Sequence, residues 1–161
     1  MAVLEPGTMA PHFALNRLEN ETPARVTFDR LTLLVFFKVT CPTCQLGVPC
    51  LDKLKLYDSA EFEAVAIAED PPEAIHDFQR KFGVSMETLT EPPPYETSEA
   101  YGLTNVPTVL LIERGGTIAQ AIVGFNRQAY NDLSRSIAER VGAAPVLLCP
   151  ADDGAPAFKP G

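Results

Sequence analysis

The sequence predicts a three-layer α/β domain with a mixed central sheet, and three features carry that expectation. Short apolar runs alternate with amphipathic segments of helical period, the pattern of strands joined by covering helices. One run, LTLLVFF at 31–37, has almost no polar face, so both sides of its sheet must be covered. A Gly115-Gly116 pair between two strand-like segments marks a tight hairpin, which adds an antiparallel neighbour to otherwise parallel strands.

In chain order, residues 25–28 form a short strand and 31–37 the central one. Residues 41–60 come next as a helix, with Leu46, Cys50, Leu54 and Tyr57 on one side at 100° per residue. EAVAIA at 63–68 is another buried strand, and 71–82 is a helix bracketed by paired prolines and Gly83. A short strand at 86–89 leads through three prolines into a brief helix ending near Gly102. Strands at 107–112 and 117–123 flank the glycine pair, and 127–141 is a final helix carrying Tyr130, Leu133, Ile137 and Val141 on one side. From Gly142 the composition turns to Ala, Pro, Gly and Asp. The domain is therefore drawn at 1–141, with 142–161 as a tail on the surface or disordered.

A chain of 161 residues with 46% apolar content buries a core without metal or disulfide support. Its net charge of −8 disfavours nucleic acid and anionic membrane surfaces as partners, since both attract basic patches. No apolar segment approaches the ~20 residues of a membrane span, and the first residues lack the charge and apolar run of a secretory leader. The expectation is a monomer without a membrane span, cytoplasmic, or periplasmic or otherwise extracytoplasmic if a leader has been removed. Cys41, Cys44, Cys50 and Cys149 are too few and too uneven for a disulfide scaffold, which favours a reducing compartment.

The stretch FFKVTCPTCQLGVP at 36–49 sets two cysteines two residues apart directly after a strand. Such a pair can hold a metal, staple a loop or exchange electrons with another thiol pair. Cys41 stands at the first turn of a helix, where unpaired N–H groups and the helix dipole favour an anion. The thiol of a cysteine, ordinarily of pKa about 8.5, falls by one to several units in that setting. Cys41 is then the attacking thiolate, and Cys44, one turn on, resolves the mixed disulfide. Tetrahedral zinc wants four ligands, whereas His12 and His76 are isolated and Cys50 faces the expected core. Neither a metal nor an organic cofactor is expected, and thiol-disulfide exchange is the favoured chemistry.

With CPTC in this setting, the chain resembles the thioredoxin superfamily, and within it the TlpA/ResA-like thiol-disulfide oxidoreductases and the wider AhpC/TSA redoxin group. The matching stretches are APHFAL, LLVFFKVTCPTC, AIAEDPPEAIHDFQRKFG and AYGLTNVPTVLLIERGGTIAQAIVG, together with the last helix, covering about residues 10–141. The resemblance implies a thioredoxin-like three-layer α/β/α sandwich with a mixed central sheet. It implies catalysis by Cys41 and Cys44, a helix-kinking Pro49, and a cis bond between Val106 and Pro107 facing the pair. Pro42, Thr43, Val106 and Pro107 would form the substrate-docking face, and the partners would be protein thiols or disulfides and an upstream redox protein. A proline there also has a bland reading, as the first residue of an edge strand.

Several positions depart from that pattern. Thr40 stands where many relatives carry tryptophan, and Val35 replaces the buried acid six residues before the nucleophile. Proton transfer at Cys44 must then use water or another group. Glu69 and Lys38 are the candidate proton relay; Glu69 is otherwise part of a solvated acidic turn with Asp70, and Lys38 either acts on the thiols by its charge or is an exposed strand-end lysine. Cys50 reads as a small core residue. Cys149 reads as an incidental thiol or, if exposed, as a third exchange partner. Two alternatives to the oxidoreductase stand: a peroxiredoxin-like thiol peroxidase using Cys41, and a non-enzymatic module that binds a partner or metal. Against the peroxidase, Phe37 and Lys38 interrupt the expected upstream pattern and no proline lies between Leu31 and Thr40.

Overall fold

The computed structural model describes residues 3–151 and 154–161. Its central strand is the run of LTLLVFF. The strands are β1 (Phe13–Arg17), β2 (Pro23–Val26), β3 (Leu31–Phe37), β4 (Phe62–Ala68), β5 (Glu87–Thr90), β6 (Thr108–Ile112), β7 (Ile118–Val123), β8 (Phe125–Asn126) and β9 (Phe158–Lys159). The helices are α1 (Pro42–Asp52), α2 (Pro72–Phe82), α3 (Glu96–Ala100) and α4 (Arg127–Val141). Seven strands form one sheet in the order β2-β1-β5-β4-β3-β6-β7, and β8 and β9 form a separate ribbon.

Every residue of β3 is buried. It pairs parallel with β4, Leu33 opposite Ala64 and Phe37 opposite Ala68, and antiparallel with β6, Val35 opposite Val109. The sheet is thus mixed, as its sequence predicts. Alternate side chains of β3 feed two cores. Leu33, Val35 and Phe37 pack with Val48 and Leu51 of α1, Ile75 and Phe78 of α2, and Leu133 and Ile137 of α4. Leu34 and Phe36 pack beneath Phe28, Ala10 and Tyr101, where the N-terminal segment and the turn after α3 make a thinner covering layer. The crossovers from β3 to β4 to β5 step the same way across the sheet, so right-handed connections place α1 and α2 on one face.

Most strand and helix limits shift by a residue from the sequence reading, and the differences with a physical cause are these. The first strand is β1, whose FALNR alternates between half-buried and exposed residues and carries no apolar run. β2 stops at Val26 because Phe28 takes φ 60, which a strand cannot continue. The helix expected over 41–60 ends at Asp52 and tightens into a 3-10 turn over Lys53–Tyr57. The buried Asp52 carboxylate accepts the N–H groups of Ser85 and Met86 at 2.9 and 2.8 Å, a tie to the start of β5 that local periodicity does not register. At the hairpin, Gly115 and Gly116 take φ 97 and 106, conformations open to glycine, and β7 starts one residue late.

The largest difference is beyond Gly142. Leu148 and Cys149 are wholly buried in the core shared by α1 and α4. Asn131 holds them: its Oδ1 accepts the Leu148 and Cys149 N–H groups at 3.1 and 3.0 Å, and its Nδ2 donates to the Cys149 carbonyl at 3.1 Å. Lys53 Nζ donates to the Leu148 carbonyl at 2.9 Å, and Tyr57 Oη accepts the Val146 N–H at 2.6 Å. Further on, β9 pairs with β8. Among the described residues, no helix is long and apolar enough to cross a membrane.

Candidate active site

β3 delivers the chain to a turn at Lys38, Val39 and Thr40, and α1 begins at once. Asp70, just past β4, accepts the Val39 N–H at 2.9 Å, and Gln45 Nε2 donates back to the Val39 carbonyl at 3.0 Å. These two bonds fix where the next residues sit. Cys41 is the N-cap of α1, with φ −83 and ψ 117, and its Sγ accepts the Cys44 N–H at 3.2 Å. A sulfur thus fills the place that a serine or aspartate oxygen usually takes at a helix start. Pro42 at the first helical position has its φ already set and no N–H left without a partner.

Cys44 lies beneath, wholly buried, while Cys41 is half-buried at the rim of the same core. The two side chains are within hydrogen-bonding reach of each other. Burial pushes the Cys44 thiol far up from its ordinary range; the Lys38 backbone opposes that shift, and the neighbouring Cys41 and Asp70 add to it. Cys44 is therefore a neutral thiol at physiological pH.

Across from the pair, the Val106-Pro107 peptide bond is cis. The Cys41 Sγ donates to the Val106 carbonyl at 3.4 Å. This loop is pinned by Thr108 Oγ1 donating to the Asn105 carbonyl at 2.7 Å and by Gly124 N–H donating to the Pro107 carbonyl at 2.8 Å. Thr43, on the first turn of α1, turns its hydroxyl to the Pro160 carbonyl at 2.7 Å. Behind α1, Tyr130 Oη donates to the Gly124 carbonyl at 2.7 Å, and a Cβ on Gly47 would lie 3.1 Å from that hydroxyl oxygen. Glycine at 47 is what lets the helix approach so closely. Burial raises the Tyr130 phenol, and Cys149, Cys44, Cys50 and Cys41 act on it in the same direction.

The structure thus brings Cys41, Cys44, Pro42, Thr43, Val106 and Pro107 to one place. Lys38 and Glu69 instead pair with each other at 3.3 Å at the outer edge, and that bond to Glu69 is the main cause of the raised Lys38 ammonium. The acid whose charge reaches Cys44 is Asp70, which also positions the turn. A cleft of about 370 Å³, lined in part by Lys38, Glu69, Tyr95, Asn105 and Val106, lies beside the cis loop. Asn105 and Gly124 are the loop supports that sequence reasoning missed; a glycine closing a strand and an asparagine two residues before a proline were the local signals available. Cys50 is half-buried against the core, and the burial of Cys149 rules it out as an exposed exchange partner in this conformation.

The sequence profile of the AhpC/TSA family matches residues 6–121. The chain belongs to the AhpC/TSA family. Among curated relatives of this family member, the thiol-disulfide oxidoreductase ResA of Halalkalibacterium halodurans is 28% identical over 121 residues, which span 73% of this chain and 68% of that protein. Among solved structures, a Chlorobium tepidum protein assigned as the thiol:disulfide interchange protein DsbE superposes with TM-score 0.75 at 24% identity, over 86% of this chain and 99% of that one. The thioredoxin domain of a Bacteroides vulgatus thiol-disulfide oxidoreductase gives TM-score 0.72 at 16% identity, over 83% and 99%. The fold is thioredoxin-like.

Proposed function

We propose that this chain is a thiol-disulfide oxidoreductase that exchanges disulfides with proteins through Cys41 and Cys44. The observation that carries the reading is the position of the Cys41 sulfur. It is held between the Cys44 N–H and the Val106 carbonyl, beside a cis-proline and above a buried second thiol. The resemblance of the chain to ResA-type oxidoreductases supports the same reading.

In the reducing direction, Cys41 as thiolate attacks one sulfur of a substrate disulfide. A Cys41–substrate S–S bond forms, the substrate S–S bond breaks, and the departing substrate sulfur takes up a proton. Cys44 then loses its proton and attacks the Cys41 sulfur. The Cys41–Cys44 disulfide forms, the second substrate sulfur leaves as a thiol, and two electrons have passed to the substrate. An upstream dithiol restores the pair by the same steps. No metal or organic cofactor takes part in these steps.

The Cys44 N–H aimed at Cys41 Sγ stabilises negative charge there whenever that sulfur is the leaving group. Cys44 stays protonated until the mixed disulfide forms, which keeps the two thiols from competing as nucleophiles. Pro42, Thr43, Val106 and Pro107 form the strip on which the substrate segment lies. Glu69 and Asp70 are the carboxylates at that edge available to take the Cys44 proton, with Asp70 the one acting on Cys44.

Turnover of insulin disulfides with dithiothreitol as donor tests the reading. The wild-type chain accelerates reduction, Cys41→Ser does not, and Cys44→Ser accumulates a mixed disulfide at Cys41 found by mass spectrometry. Reduction that survives Cys41→Ser would overturn the assignment. Rapid consumption of hydrogen peroxide by the wild-type chain, without insulin reduction, would favour the thiol-peroxidase alternative instead.

A further inference from the structure

The strip beside Cys41 is occupied by the chain itself. β9 runs antiparallel to β8, Phe125 opposite Lys159 and Asn126 opposite Phe158. Before it, Arg127 donates its backbone N–H to the Ala157 carbonyl at 2.9 Å and its Nη2 to the Ala155 carbonyl at 2.7 Å. After it, Thr43 Oγ1 donates to the Pro160 carbonyl at 2.7 Å and Asn105 Nδ2 to the Gly161 carbonyl at 3.0 Å. Three separate elements, the first turn of α1, the cis loop and the start of α4, thus hold one extended segment.

At Gly124 and Gly161 the segment approaches backbone on backbone. A Cβ at Gly124 would lie 2.7 Å from the Lys159 carbonyl oxygen and 3.1 Å from the Gly161 nitrogen. A Cβ at Gly161 would overlap the Val106 carbonyl oxygen and lie 2.9 Å from its carbon. That oxygen is the one that receives the Cys41 thiol. The segment is also lightly tied: its ribbon is two residues long, Pro156 and Pro160 have no N–H to donate, and the Phe158 side chain is exposed. Its firm anchor lies upstream, at Leu148 and Cys149.

We infer that residues 156–161 are a cis-acting occupant of the docking strip, so that a protein disulfide reaches Cys41 only while this segment is lifted. The inference rests on the docking role proposed above for Thr43, Val106 and Pro107. The occupant also describes what replaces it: an extended protein segment that offers backbone carbonyls to Thr43 and Asn105 and a small residue where Gly161 crosses Val106. The segment contains no cysteine, so it competes for the strip without entering the exchange.

Two variants test this, deletion of residues 156–161 and Gly161→Val in the full chain, each compared with the intact protein after circular dichroism has shown a native fold. Insulin reduction is expected to rise about tenfold, the factor for a strip open about one-tenth of the time. Reaction of the reduced pair with a small aromatic disulfide, which needs no extended docking, is expected to change by less than about twofold. Adding the peptide GAPAFKPG to the deletion variant should slow insulin reduction again. Unchanged or slower insulin reduction in the folded variants would overturn the inference while leaving the exchange reading intact. If the deletion does not fold, Gly161→Val decides alone. Absence of exchange in every form, the intact chain included, would overturn the exchange reading and this inference with it.

Discussion

Cys41 and Cys149 look alike in the sequence: each closes a largely apolar run, VFFKVT in one case and VLL in the other, and each precedes a proline. The structure separates them completely. Cys41 starts a helix, takes an N–H bond on its sulfur and sits half-buried at the rim. Cys149 starts no helix, lies at 0% exposure, and has its backbone held by Asn131. A cysteine-proline pair thus says little by itself; the residues on its C-terminal side decide its role. After Cys41-Pro42 comes TCQLGVPCL, able to form a helix whose first turn presents donors to a sulfur. After Cys149-Pro150 comes ADDGAPAF, where Gly154 and Pro156 interrupt any helical run.

Exchanging the two residues one at a time gives the largest contrast. Cys41→Ser is expected to lower insulin reduction by about a thousandfold or more, the scale of losing a nucleophile. Cys149→Ala is expected to leave that rate within about twofold and to cost about 1 kcal/mol or more of stability, as the loss of a buried sulfur does. Alkylation of the native reduced chain should likewise mark Cys41 first and Cys149 only on unfolding. A native-state label on Cys149 as fast as on Cys41 would erase the distinction.

The second contrast concerns what holds each region. The turn before Cys41 is tied by Asp70 and Gln45, the start of the tail by Asn131. Asn131→Ala removes one acceptor shared by two N–H groups and one donor, and is expected to cost about 2 kcal/mol, seen as a lower urea midpoint. The Cys149 thiol should become reactive at lower denaturant in the same variant. A midpoint equal to wild type would show that the tail is held by apolar burial alone.

The same contrast explains which parts of the fold and site were legible beforehand. LTLLVFF was legible as the central strand because burial on both faces leaves an unbroken apolar run, and Gly83 marked the end of α2 because φ 67 suits it. CPTC was legible because spacing, preceding strand and succeeding helix agree. The end of α1 was not, since the 3-10 turn keeps Leu54 and Tyr57 on the buried side while the break is made by Asp52 reaching Ser85 and Met86. β1 was missed because two of its five residues are exposed and none is fully buried, at the weakly covered side of the sheet. The tail was missed for a related reason: its polar partners, Asn131, Tyr57 and Thr43, lie on distant elements and carry no mark of that role. For the site, the resemblance supplied Val106 and Pro107, whereas Asn105 and Gly124 act through backbone contacts that no side-chain pattern encodes.

The smallest effect separates Cys44 from Cys41. Its folded-state pKa is raised above the ordinary cysteine value, chiefly by burial, so the native chain keeps a proton that the unfolded chain releases. The stabilising contribution is whole below about pH 9 and is lost as pH rises further, because there the unfolded state binds fewer protons than the native one. For the reduced protein the expected fall approaches one proton, about 1.4 kcal/mol per pH unit. Burial raises Tyr101 and Tyr130 in the same sense, so the total alkaline slope is steeper than this one group supplies. Cys44→Ala isolates it: urea unfolding of reduced wild type and variant on either side of about pH 9 should give stabilities that converge as pH rises, by up to that one-proton slope. Parallel pH dependences would mean that the Cys44 thiol titrates in the fold as it does in the unfolded chain, and that the two thiols of the pair are not told apart by burial.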